Sequence, residues 1–156
     1  MSTTQKIRLQ FHASIAAPRE RVWRTMLEPD SYRRWTAAFM EGSYYEGSWE
    51  RGAEIRFLAP GMGGMFARIA EHRAPEFVSI EHLGMIDAEG RVDRDSPAVR
   101  AWVPAYENYT LREPNPGLTE LLVELDVTPD FEAMMKESWP KALALLQQDC
   151  EDGGAR

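Results

Sequence analysis

The side chains best placed for chemistry are His82 and Glu107. In the segment FVSIEHLGMI, Val78 and Ile80 alternate with polar neighbours and share their parity with His82. In YENYTL, Tyr109 and Leu111 share parity with Glu107. If the apolar sides of both strands face one cavity, a histidine and a carboxylate point into it together from neighbouring strands. Such a pair in an apolar cavity suits acid–base chemistry or anchors the polar group of a ligand. The competing arrangements are a satisfied polar pair, or a register that turns one of the two outward.

Other chemistries find less support. The three histidines have no zinc-like spacing and there is a single cysteine, Cys150, so a metal site is not expected. No G-x-S-x-G elbow surrounds any serine. Cys150 falls at the end of the last helix and reads as an incidental thiol. His12, His72, Arg56 and Arg68 fall on the polar side of their strands.

The glycine-rich stretch LAPGMGGMFA raises the question of phosphate binding. The Walker pattern needs Lys-Ser or Lys-Thr after its last glycine, and Met65-Phe66 follow instead. The dinucleotide pattern fits Gly61 and Gly63 but meets Phe66 at its third glycine. Both motifs open a helix, whereas Met65, Ala67 and Ile69 alternate as a strand does. The stretch reads as a strand-to-strand turn that requires positive φ. In an up-and-down sheet it shares an end with the 87–104 loop, where Gly61 to Met65 would form a mobile rim with adaptable methionines.

These side chains depend on elements whose periodicity is legible. IRLQFHASI alternates as a half-buried strand. Pro18 then stands where a helix begins, and Val22, Trp23, Met26 and Leu27 make a helical stripe. A second short helix after Pro29 carries Tyr32 and Trp35. Six strands follow, the first spanning Tyr44 to Trp49, with residues 87–104 as a long irregular loop. The last element is a long amphipathic helix with Phe131, Met135, Trp139, Ala142 and Leu146 on one stripe and a kink expected at Pro140. The fold class is therefore α+β, a mostly antiparallel sheet covered by one long C-terminal helix. A single domain over 1–150 is expected, with a disordered tail at 151–156.

Composition narrows the partners. A net charge of −7 disfavours nucleic acid and anionic membrane surfaces. No apolar run reaches membrane-spanning length, so no integral membrane association is expected. The lone cysteine and the absence of a signal-like N-terminus suit a cytoplasmic protein. Nothing in the sequence calls for a cofactor.

The stretches SIAAPRERVWRTMLEPDSYRRW, YYEGSWERGAEIRFL, FVSIEHLG and YENYTL, in this order, resemble the START/Bet v 1-like (SRPBCC) helix-grip superfamily. The closest branch is that of homologues of the activator of the 90-kDa heat-shock-protein ATPase. The likeness runs from Ile7 to Leu146, and its AP-x-x-x-VW opening, Ala17 to Trp23, is a superfamily marker. The resemblance implies a seven-stranded antiparallel sheet gripping the C-terminal helix, with a cavity between them. Members bind lipids, hormones or polyketides, or carry out cyclase and hydrolase chemistry.

In such a fold Tyr32, Trp35 and Phe39 flank the join from short helices to sheet and border the cavity. Ile69, Ile80, His82, Glu107, Tyr109, Val123, Met135 and Trp139 complete the expected ligand-binding set. Three functions stay open. The first is binding of a small hydrophobic or amphipathic molecule, lipid- or polyketide-like. The second is a cyclase, dehydratase or hydrolase using His82 and Glu107. The third is a chaperone-associated or other interaction module, including a homodimer, with an apolar patch around Tyr44, Tyr45 and Trp49 on an edge strand.

Overall fold

The computed structural model describes residues 6–153. Strand β1 (Ile7–Ile15) leads into two short helices, α1 (Arg19–Leu27) and α2 (Pro29–Thr36). Pro29 occupies the first turn of α2, where its missing N–H costs nothing. Pro18 sits one residue earlier than expected, as the extended cap of α1. The Trp35 indole donates to the Met26 carbonyl at 3.2 Å and pins α2 against α1.

The sheet follows: β2 (Tyr44–Gly47), β3 (Glu54–Ala59), β4 (Gly63–Arg73), β5 (Phe77–Ile86), β7 (Ala105–Asn115) and β8 (Leu118–Val127). Its order is β1-β8-β7-β5-β4-β3-β2, and every pairing is antiparallel. The seven expected strands form this path, and an eighth, β6 (Val92–Asp93), pairs at its side with β5. The 87–104 segment is thus less irregular than expected, since it also holds the short helix α3 (Pro97–Arg100), capped by Ser96. β2 ends at Gly47, two residues short of the expected Trp49, because Gly47 takes φ +120°.

Helix α4 (Pro129–Gly153) packs against β1, α1 and α2. It is helical on both sides of Pro140. Trp139, Ala142 and Leu146 are buried as the stripe predicts, but Phe131 is 47% exposed. The first turns of α4 therefore overhang space, while its second half closes the core. The helix runs three residues into the expected tail, through 151–153; residues 154–156 lie outside the described ones. The Glu151 carboxylate accepts from the Ala16 amide at 2.9 Å.

Two bulges change the alternation. Phe66 pairs with Gly84 while Ala67 pairs with His82, so Leu83 is an extra residue in β5. Ile69 pairs with Ile80 while Glu71 pairs with Ser79, so Ala70 is an extra residue in β4. The second bulge corrects the placement of His72. Rather than lying on the polar side, it sits opposite Val78, half-buried, with Nδ1 2.6 Å from the Trp49 carbonyl and its ring edge-on to Trp23.

The expected edge patch is also corrected. Tyr45 donates its hydroxyl to the Leu27 carbonyl and packs edge-on against Tyr32 and Trp49. Arg33 lies 5.6 Å over the Tyr44 ring. Packing against Tyr32 of α2 covers Tyr45 and Trp49, and Arg33 covers Tyr44, so all three rings are half-buried rather than exposed.

Candidate functional site

Between the sheet and the overhanging start of α4 lies a cavity of about 760 Å³. This is within the range of small-molecule sites. Its walls come from α2 and the turn after it (Tyr32, Trp35, Phe39), from β3 (Phe57), and from α4 (Met134, Met135, Trp139). The glycine turn supplies Met62 to Met65, and the α3 region supplies Val99 and Trp102. The two loops expected at one end of the sheet thus border the same space.

The polar floor comes from β5 and β7. His82 pairs in register with Ala105, which puts Glu107 diagonally next to it on the same face. Nε2 of His82 lies 3.0 Å from Glu107 Oε1. Tyr109, two residues on and so on the same face, donates its hydroxyl to Glu107 Oε2. One carboxylate therefore accepts from an imidazole and a phenol. Both line the cavity, with the His82 side chain 4% exposed and that of Glu107 16%, so Glu107 is the more open of the two. Nδ1 of His82 is enclosed without a partner. The ring is stacked on Trp102, centroids 5.2 Å apart, and meets Phe57 edge-on.

Burial, then the negative charge of Glu107, then its hydrogen bond, hold the Tyr109 phenol well above the usual tyrosine range. Burial and the same carboxylate push up Tyr32. Both rings therefore remain neutral donors throughout the physiological range.

The expected site residues divide into two groups. Tyr32, Trp35, Phe39, His82, Glu107, Tyr109, Met135 and Trp139 line the cavity. Ile69, Ile80 and Val123 do not. They are fully buried in the core, with Ile80 opposite both Ile69 and Glu107, and Val123 opposite Tyr109. Sequence reading missed Phe57, Trp102, Met85 and Met134. Met85 reaches the face of His82 only through the Leu83 bulge. Met134 was legible as a neighbour of the α4 stripe. Trp102 lies outside any periodic element and gave no signal.

Cys150 lies in the last turn of α4. It is fully buried, and burial pushes its thiol from 9.0 to about 11, away from nucleophilic use. No helix among the described residues is long and apolar enough to cross a membrane.

Comparison with known proteins places this geometry. The solution structure of the Aha1 dimer from Colwellia psychrerythraea superposes with a TM-score of 0.70 at 17% identity, covering 93% of this chain and 96% of that one. Protein CV1439 from Chromobacterium violaceum gives a TM-score of 0.65 at 21% identity, covering 92% and 96%. DynU16, from the dynemicin biosynthetic locus, gives 0.65 at 17%, covering 94% of this chain and 48% of its own. These likenesses establish a shared fold. No curated protein matches the sequence. The profile described as Activator of Hsp90 ATPase homolog 1-like protein matches residues 16–150, nearly the whole helix-grip unit. The chain belongs to the family of Activator of Hsp90 ATPase homolog 1-like proteins.

Proposed function

We propose that the protein binds a small hydrophobic or amphipathic molecule in the cavity between the sheet and α4. The observation that carries this reading is an open cavity of about 760 Å³ with aromatic and methionine walls and one polar cluster, His82–Glu107–Tyr109, at its floor. Apolar walls supply affinity by removing ligand surface from water, and a few convergent polar groups fix orientation. The methionines at the rim adapt to different shapes.

The catalytic alternative narrows to Glu107. His82 spends Nε2 on the carboxylate and has Nδ1 enclosed, so no ring nitrogen is free to exchange a proton with a substrate. Binding without turnover needs no such free group.

Native mass spectrometry of the freshly purified protein tests the binding reading, with the denatured sample as control. A native mass above that of the chain, lost on denaturation, supports it. A bare chain that also takes up no apolar probe in calorimetry contradicts it.

A further inference from the structure

The charge pattern of the cavity points to the kind of molecule it takes, granted the binding reading above. Among the described residues no lysine or arginine lines the cavity, while three carboxylates do: Glu107, Asp126 and Asp130. Asp126 is already held by Arg8 at 3.0 Å and by the Tyr106 amide at 2.9 Å. Asp130 stands in the first turn of α4, at the exposed rim. Glu107 alone meets the aromatic interior.

Glu107 is only partly satisfied. An ionised carboxylate offers about four lone-pair sites, and its two protein donors occupy one on each oxygen. His82 reaches Glu107 through a single ring nitrogen, and no lysine or arginine of the cavity lining stands beside the carboxylate. The rings around it, Tyr32, Trp35, Phe57 and Trp139, present negative π-faces to anything that enters. A carboxylate or phosphate brought in would meet like charge, lose its water and find no cation.

We infer that the cavity selects an apolar, ring-bearing molecule carrying a protonated amine that donates to Glu107, and rejects the corresponding anion. The ammonium would gain a charge-assisted hydrogen bond to Glu107 and cation–π contact with the walls. The apolar body would fill the space under α4, out to Met134 and Phe131 at the mouth.

The test is isothermal calorimetry of the full chain with three probes that share one body: 2-(1-naphthyl)ethylamine, 2-(1-naphthyl)ethanol and 1-naphthylacetate. The amine is expected to bind more tightly than the alcohol and about tenfold or more above the acid, the worth of one charge-assisted hydrogen bond. Glu107→Gln is expected to shrink the amine–acid gap by a similar factor, with a thermal melt confirming that the variant is folded. An acid or alcohol that binds the wild type as tightly as the amine overturns this selectivity while leaving the binding reading intact. If no probe binds, the retained molecule in native mass spectra decides. A cationic one supports the inference, an anionic one overturns it, and a bare chain removes the binding reading and this inference together.

Discussion

Glu107 joins His82 and Tyr109 through different oxygens, with Nε2 of His82 3.0 Å from Oε1 and the Tyr109 hydroxyl on Oε2. The three side chains come from two adjacent strands and hold one another in a largely apolar setting. Removing the carboxylate strands two buried donors at once, whereas removing the phenol deletes one donor and leaves the carboxylate its imidazole. Glu107→Ala is therefore expected to cost about 2–4 kcal/mol and Tyr109→Phe about 1 kcal/mol. Urea unfolding of both variants measures this. Equal stability of Glu107→Ala and wild type would mean that the cluster does not form in solution.

Filling the cavity should separate binding from folding. Ser138 lines the cavity on α4 next to Trp139. Ser138→Phe places an apolar ring in open space and removes no buried partner, so the melting temperature should hold or rise. Retention of any small molecule in native mass spectra, or uptake of the naphthyl probes, should be lost. A variant that binds as well as wild type would locate the ligand elsewhere.

The balance between these side chains was partly open to inspection in the sequence. Parity alone puts His82, Glu107 and Tyr109 on one face, because the strands are regular up to Leu83 and through Tyr109. Parity cannot say how far along the sheet the cavity extends. Ile69, Ile80 and Val123 have the right face but are fully buried in one core cluster with Trp139, Leu143 and Leu146 of α4. Nor does alternation reveal a bulge. Leu83 and Ala70 are unremarkable residues, yet they turn Met85 toward the cavity and His72 toward Trp49. Trp102 depends on how a loop folds back over His82, which no local pattern encodes.

The glycine turn has a structural requirement that can be divided by position. Gly61 has φ +72° with open space around its missing side chain. Gly64 has no such φ, but a Cβ there would run into the Phe57 carbonyl oxygen of β3. Gly61→Ala should cost about 1 kcal/mol from backbone strain alone. Gly64→Ala should cost about 2–4 kcal/mol, since β3 must move away from β4. It should also weaken probe binding, because Phe57 and Met65 flank that pairing and line the cavity. Chemical denaturation and calorimetry on the two variants check the ranking. The reverse order would show that strand approach does not govern this turn.

Cys150 should make the fold sensitive to alkali. Burial raises its thiol from 9.0 to about 11, with the neighbouring Asp149 adding to the effect and Thr25 opposing it. Between these values the unfolded chain loses its thiol proton while the folded chain keeps it. The unfolded state then binds fewer protons, so stability falls as pH rises. The contribution is fully present below pH 9.0 and is lost progressively toward about 11. It amounts to about 2–3 kcal/mol over that window. Tyr32 and Tyr109 are raised as well, and their loss begins at 10.0, so the thiol dominates the first part of the decline. Cys150→Ala should lower stability near neutral pH through the small void it leaves, yet flatten the slope between pH 9.0 and 10.0. Urea midpoints for both proteins, measured across that interval, test this. Parallel slopes would mean that the thiol ionises in the folded protein as readily as in the unfolded chain, and thiol-reactive disulfide reagents would then label native Cys150 at an exposed-cysteine rate.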